Sequence, residues 1–121
     1  MEEKRKVSRI KVNAVVSYRI KNIRLAGGTR VQDISELGIC IPTTQFIPVD
    51  SILELEIRSD DLKEPIKTLA KVTRVVHRSG GKYQFEVGLE FVDFPRVRLN
   101  ELCDFIKISL AQVNQDVSWF D

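Results

Sequence analysis

The sequence predicts a mainly β protein, in which six antiparallel strands form a barrel or a sandwich and one helix follows at the C-terminus. Apolar and polar residues alternate over several stretches between residues 9 and 92, the period of strands with one buried face. Turn signals separate these stretches without intervening helical patterns, which excludes parallel βαβ units. Beyond Pro95 the apolar period becomes helical.

The first half of the chain predicts three strands. Residues 9–20 alternate as a long first strand, and Gly27-Gly28 indicates a hairpin turn that returns residues 29–34 alongside it. The third strand is short, because Pro42 closes the apolar run that begins at Ile39.

The second half predicts three further strands and the helix. The fourth strand alternates over residues 53–58 and ends at a charged loop, and residues 68–78 and 83–92 form a hairpin around Gly80-Gly81. In the helix, Phe105 lies off one apolar stripe, formed by Leu99, Leu102, Ile106, Leu110, Val113 and Val117. We expect the stripe to cover the strands, with a homodimer or partner surface as the alternative.

Composition indicates one cytoplasmic domain. The 121 residues can bury a single core, and 43% apolar with 30% charged residues is ordinary for a globular protein. No apolar stretch is long enough to enter a membrane, and no signal-peptide pattern precedes the first strand. Cys40 and Cys103 are expected to be free thiols, which fits a reducing compartment.

A basic N-terminal segment carries the first functional motif, Arg5 and Arg9 in the pattern RxxxR. Arginine can grip a phosphate with two hydrogen bonds and can stack on a base. The pattern alone is weak, because it recurs at residues 74–78 inside a predicted strand, where we assign it no function. Lys4 and Lys6 are expected to add only diffuse attraction, and a solvated disordered terminus is the alternative.

The second motif is DxSxxG, at Asp33, Ser35 and Gly38, where the second predicted strand ends. A carboxylate can accept from guanine, a hydroxyl can bond phosphate or base, and glycine allows a tight turn or a close approach. Each residue also has a purely structural alternative as a turn residue. Ile34 and Leu37 are assigned to the core. The two motifs together predict an anionic nucleotide ligand.

In this order the motifs resemble those of the PilZ domain, a bacterial receptor module for the second messenger cyclic di-GMP. The resemblance covers nearly the whole chain and includes Gly88-Leu89-Glu90-Phe91, which makes Gly88 an auxiliary site candidate. It implies one domain with a six-stranded antiparallel β-barrel: a basic arm over residues 1–9, the barrel over 10–93 and the helix over 95–118.

The resemblance also implies a role for each motif residue. Arg5 and Arg9 would stack on guanine and bind phosphate or the Hoogsteen edge of guanine. Asp33 would accept from the N1–H and N2–H₂ of guanine, and Ser35 and Gly38 would complete the site. One bound ligand or a stacked pair both fit, and the chain could stand alone or belong to a longer receptor.

The leading hypothesis is therefore a cytoplasmic cyclic di-GMP receptor whose arm closes over the nucleotide and alters the docking of an unidentified protein partner. By resemblance, its outputs would be motility, exopolysaccharide production or transcription. One alternative is an interaction adaptor of the same fold that does not depend on nucleotide. A barrel that binds single-stranded nucleic acid is a third, disfavoured because the strand aromatics follow the buried alternation.

No catalytic residue, metal site or cofactor other than the nucleotide ligand is expected. His77 is the only histidine, and the sequence places no second ligand or nucleophile beside it. No phosphate-binding loop with its lysine and no metal-binding set of His and Cys is present in the sequence. We therefore expect a binding protein, not an enzyme.

Overall fold

Seven strands in one antiparallel sheet and one long helix make up the described part of the chain in a computed structural model. The structure describes residues 12–20 and 24–118, with side chains as far as residue 109. The elements are β1 (Val15–Ile20), β2 (Leu25–Arg30), β3 (Asp33–Ile34), β4 (Gly38–Thr43), β5 (Ile52–Arg58), β6 (Ile66–His77), β7 (Phe85–Val92), a 3-10 turn (Arg96–Arg98) and α1 (Leu99–Ser118). The mainly β fold with a C-terminal helix is confirmed.

The sheet curls because its two edge strands are consecutive in the chain. The strand order is β2-β1-β5-β6-β7-β4-β3, and only Val31 and Gln32, here called the edge junction, separate β2 from β3. The N–H of Val31 donates to the carbonyl of Ala14, and that of Gln32 to the carbonyl of Cys40, each at 2.9 Å. The predicted second strand is thus split between both edges, which turns six predicted strands into seven.

One face of the curled sheet encloses the core. Along β1, Val16, Tyr18 and Ile20 are buried while the residues between them are exposed, and along β5 buried residues alternate with half-buried ones. The largest fully buried side chains come from β1, β3 to β7, the β4–β5 loop and α1: Phe105, Ile34, Ile39, Ile41, Ile47, Leu53, Ile57, Ile66, Leu102, Val16, Val72 and Val87. Burial of these apolar side chains is the main stabilising force of the fold.

The predicted turn at Gly27-Gly28 is wrong. Both glycines lie within β2, and Gly27 pairs with Tyr18 of β1. A Cβ at Gly27 would lie 2.6 Å from the Tyr18 hydroxyl oxygen, so this glycine makes room for the tyrosine ring. The other predicted glycine turn is confirmed, because Gly80 and Gly81 connect β6 to β7 with φ of 78° and 95°.

As far as residue 109, helix α1 buries a face that overlaps the predicted stripe at Leu102 and Ile106 but also includes a residue outside it. Phe105, which we expected off the stripe, is only 1% exposed, and Leu102 is fully buried beside it. Leu99 is 41% exposed. Leu99 is the first helical residue after the 3-10 turn, so burial against the core begins one turn later.

Gly38 sets the distance between β4 and β7. It pairs with Glu90, and a Cβ at this position would lie 2.1 Å from the carbonyl oxygen of Leu89. Because the obstructing atom belongs to the backbone, no side-chain rotation can relieve the clash. Glycine is therefore required here for strand packing.

We predict that Gly38→Ala destabilises the fold by about 1–3 kcal/mol, because the added methyl forces the paired backbones apart. Gly28→Ala is the matched control, since its Cβ would meet the Val16 carbonyl at 3.7 Å, an ordinary contact; its stability should change by less than about 1 kcal/mol. Urea unfolding of the wild type and both variants measures the difference. Equal stability of the two variants would contradict the packing role.

Candidate functional site

The DxSxxG residues form the hairpin between β3 and β4. Asp33 pairs with Cys40, and Ile34 pairs with Ile39. The N–H of Ser35 donates to the carbonyl of Gly38 at 2.9 Å, which closes the turn. Three residues that the sequence singled out as site candidates therefore lie together, directly after the edge junction.

Ser35 supports this turn from within. It is 5% exposed, and its Oγ accepts hydrogen bonds from the N–H of Leu37 at 3.1 Å and of Gly38 at 3.3 Å. These bonds occupy the oxygen lone pairs and leave the hydroxyl hydrogen able to donate. The turn-forming alternative that the sequence offered for Ser35 is thus present, and it is compatible with donation to a ligand.

The residues around Ser35 divide between core and surface. Ile34 is fully buried, as predicted, but Leu37 is 58% exposed, so its assignment to the core is wrong. Leu37 lies at the tip of the turn, where its carbonyl accepts from the N–H of Phe91 at 2.9 Å. The close approach that Gly38 permits is to the β7 backbone, and its φ is not positive.

Asp33 belongs to a row of residues that crosses four strands. It pairs with Cys40, Cys40 pairs with Gly88, and Gly88 pairs with Arg74. The next residues along these strands belong to the core, so the row faces outward. We call these four residues the outer row.

A buried carboxylate lies beside the outer row. Glu86 is 8% exposed, and its Oε2 accepts from Nε2 of Gln32 at 3.2 Å and from Sγ of Cys40 at 3.3 Å. Its Oε1 accepts from Nη2 of Arg78, and Nη2 of Arg74 lies 4.0 Å from Oε2. Glu86 therefore ties the edge junction to β4 and β6.

The pKa values of Cys40 and Glu86 in this cluster are shifted in opposite directions. Burial raises the pKa of Cys40 to about 12, and the bond to Glu86 and the charge of Asp33 add to this, while Arg74 opposes it. The thiol is therefore neutral at physiological pH and a poor nucleophile. Burial favours a higher pKa for Glu86, but hydrogen bonds from Cys40, Arg78 and Gln32 outweigh it and lower that pKa.

The DxSxxG residues, here called the signature residues, form a turn, here called the signature turn, that also contacts helix α1. Sγ of Cys103 donates to Oε2 of Glu36 at 3.5 Å. Cys40 and Cys103 are both free cysteines, as predicted; Cys40 is buried and Cys103 is half-buried. The turn is thus supported by β7 on one side, through Leu37, and by the helix through Glu36.

Arg5, Arg9, Lys4 and Lys6 lie outside the described residues. The described chain begins at residue 12, and the carbonyl of Ala14 holds the N–H of Val31 in the edge junction. The chain that follows the basic segment therefore runs beside the segment that leads into Asp33.

A separate groove of about 650 Å³ lies over β1, β5 and β6. Its lining carries charges of both signs, including Arg19, Glu54 and Lys67, and Nε of Arg19 donates to Glu54 at 3.1 Å. None of the described site candidates lines it. The strand aromatics Tyr18 and Phe85 pack against the core, so they do not form an exposed stacking platform.

Comparison with known families identifies the fold. The family model described as PilZ domain matches residues 3–107. The chain belongs to the PilZ domain family. This confirms the resemblance stated from the two motifs, and the matched range contains both of them.

Solved structures share the PilZ fold with this chain. The PilZ domain of Escherichia coli YcgR with c-di-GMP has a TM-score of 0.73 at 14% identity, over 95% of this chain and 98% of that one. Bacillus subtilis MotI/DgrA, an inhibitor of motility, gives 0.71 at 19% identity, over 91% and 52%. The K. pneumoniae MrkH complex with c-di-GMP gives 0.70 at 15% identity, over 94% and 54%. This PilZ chain therefore spans about half the length of the MotI/DgrA and MrkH chains.

The comparison with curated proteins found no match. Within the described part of this PilZ chain, no group of three or more His, Cys, Asp and Glu residues is placed to hold a metal ion. Among the same residues, no helix has both the length and the apolar character needed to cross a bilayer.

We predict that Glu86→Gln destabilises the PilZ domain by about 1–3 kcal/mol at pH 7, because charged hydrogen bonds to a buried group are lost. The pKa of Glu86 is lowered in the fold, so its contribution is present above its ordinary pKa of 4.5 and is lost as pH falls through the lowered value. The stability difference between wild type and variant should be constant from pH 7 to about 5 and shrink at lower pH.

Thermal unfolding of both proteins between about pH 3 and 7 measures this difference. Glu54→Gln is the control, because its ion pair with Arg19 is exposed and should contribute less than about 1 kcal/mol. A Glu86→Gln difference that does not change with pH would show that the charge of Glu86 is not what stabilises the cluster.

Proposed function

We propose that this PilZ domain is a receptor for cyclic di-GMP. The observation that supports the proposal is the gathering of Asp33 and Ser35 in one hydrogen-bonded turn directly after the edge junction, held by Gly38 against β7. Fixed acceptors and donors on a rigid element bind a polar ligand without a large ordering cost.

The proposed recognition of guanine depends on Asp33. A carboxylate can accept from the N1–H and N2–H₂ of one guanine, a pairing that adenine, with N6–H₂ as the single donor group on that edge, cannot make. Ser35 would donate its free hydroxyl hydrogen to a phosphate or base oxygen. Asp33 and Ser35 would together select guanine nucleotides. Whether one ligand or a stacked pair binds would depend on the basic arm.

The proposed closing elements are Arg5 and Arg9. A guanidinium supplies five donors for phosphate oxygens or for O6 and N7 of guanine, and its plane stacks on a purine. The chain that follows them is described from residue 12 and is hydrogen-bonded to the edge junction at Ala14, which supports a place for these arginines in the same site. Ordering of such a segment on the ligand would change the surface that a protein partner meets.

The solved relatives support the same ligand and a signalling output. YcgR and MrkH were solved with c-di-GMP, and MotI/DgrA is an inhibitor of motility. We propose that this chain likewise binds the nucleotide in the bacterial cytoplasm and passes the signal to a protein partner, without a catalytic step. Motility and exopolysaccharide production are the proposed outputs.

A nucleotide-independent adaptor is the second candidate, and one exposed aromatic favours it. Phe46 is 57% exposed and packs edge-on against Phe85, with ring centroids 5.7 Å apart. An exposed aromatic of this kind suits a protein contact. The two candidates differ in whether cyclic di-GMP changes the affinity for the partner.

We predict that calorimetric titration of cyclic di-GMP into the purified chain gives micromolar or tighter binding. Arg9→Ala and Asp33→Ala should each weaken it at least about tenfold, since each removes a charged hydrogen-bonding group, and tenfold corresponds to about 1.4 kcal/mol. Arg19→Ala is the matched arginine control: Arg19 pairs with Glu54 in the separate groove, which none of the described site candidates lines, and its removal should leave the affinity unchanged.

GTP, added as a competitor, should displace the ligand weakly if at all. The receptor proposal fails if the folded wild type releases no heat with ligand near a millimolar, because any binding would then be weaker than about 4 kcal/mol. The adaptor would then remain as the candidate function.

We predict further that Arg5→Lys binds poorly although it keeps the charge. Lysine supplies a point charge but neither the planar stacking surface nor the paired donors of arginine. The same titration measures this loss, and Lys6→Arg serves as a control for changes of basic side chain in the segment. Wild-type affinity in Arg5→Lys would refute the stacking or paired-bond role.

A further inference from the structure

We propose that Arg74 of β6 is a third arginine of the nucleotide site, which contacts a phosphate of a ligand whose base is held at Asp33. The inference rests on the proposed receptor function and extends its site across β4 and β7. It concerns an arginine pair, Arg74 and Arg78, to which the sequence assigned no function.

A β-bulge turns Arg74 to the outer face. The register between β6 and β7 shifts between Val72 and Arg74, so Thr73 and Arg74 both lie opposite Gly88. Before the shift the even-numbered residues of β6 are buried, and the regular alternation would point Arg74 into the core. Bulges commonly re-aim a side chain next to a functional site.

Gly88 provides the space in which Arg74 lies. A Cβ on Gly88 would be 3.4 Å from both Nε and Nη2 of Arg74, so the guanidinium rests directly over the β7 backbone. Gly88 is the auxiliary site candidate of the sequence, and its lack of a side chain lets Arg74 reach back towards β4. Cys40, which lies between Gly88 and Asp33 in the outer row, is short and fully buried, so its side chain does not project into solvent.

Arg74 and Asp33 therefore lie on the same outer face of the sheet. Strands lie about 4.8 Å apart, so the guanidinium over β7 is about two strand spacings from Asp33 on β3. Between them lie Cys40 and Gly88, both buried, and the Cys40 thiol donates to the carboxylate of Glu86. A nucleotide that presents its base to Asp33 and lies across β4 brings its phosphate towards Arg74.

Arg74 can leave its present partner without exposing a buried charge. Its side chain is 50% exposed, and its Nη2 is 4.0 Å from Glu86, at the limit of an ion pair. Glu86 keeps its bonds from Arg78, Gln32 and Cys40 if Arg74 turns to a ligand. Arg78 is the firm partner of Glu86, and Arg74 is the arginine available to a phosphate.

Titration of cyclic di-GMP into wild type, Arg74→Ala and Arg78→Ala tests this assignment. Arg74→Ala should weaken binding at least about tenfold, the size of a lost phosphate contact, whereas Arg78→Ala should change it less than about threefold. The two variants remove the same charge beside the same carboxylate, so a difference between them reports position, not overall charge. Thermal unfolding confirms that each variant is folded.

Arg74→Lys identifies the contacted group. A lysine serves a phosphate as a point charge and should keep most of the affinity, whereas a guanine edge requires the arginine fork. Loss in Arg74→Lys as large as in Arg74→Ala would overturn the phosphate assignment.

Two further outcomes overturn the proposal as a whole: wild-type affinity in Arg74→Ala, or equal losses in Arg74→Ala and Arg78→Ala. These results are distinct from failure of the receptor function, in which the wild type itself does not bind.

Discussion

The architecture depends on one constraint, that two residues of chain must connect opposite edges of the sheet. The edge junction can span this distance only if the sheet curls until its edges meet, and the two backbone bonds at the junction hold it there. The curl encloses the apolar faces of the strands and places β3 and its hairpin at the meeting point. The curl of the sheet therefore both closes the fold and places Asp33, Ser35 and Gly38 where its edges meet.

This coincidence gives the signature residues two roles. Ser35 stabilises the hairpin through its side-chain hydrogen bonds, and Gly38 allows β7 to pack closely against β4. Both are therefore needed for the fold whether or not a ligand binds. Asp33 differs, because it faces outward from β3 beside the polar cluster around Glu86. Loss of binding in a Gly38 variant is therefore ambiguous, while loss in an Asp33 variant points to recognition.

The sequence predicted what depends on local patterns. Alternation located the strands, and the DxSxxG spacing located the hairpin turn, because both depend on neighbours along the chain. It misplaced the first turn, since Gly27 leaves space for the ring of Tyr18 on the neighbouring strand and does not form a turn. It could not find the cluster around Glu86, whose partners come from three separate segments. It also passed over Arg74, because the register shift that turns this side chain outward depends on the pairing of β6 with β7.

The bulge in β6 also decides where that strand can change in length. Thr73 is the extra residue of the bulge, so its removal would restore regular pairing with β7 while leaving Arg74 on the outer face and Val75, which packs against the core, on the inner face. Removing or adding one residue elsewhere in the strand would exchange the two faces on one side of the change. β6 therefore tolerates a change in length at Thr73 far better than at its regularly paired positions, even though the strand ends in an exposed turn.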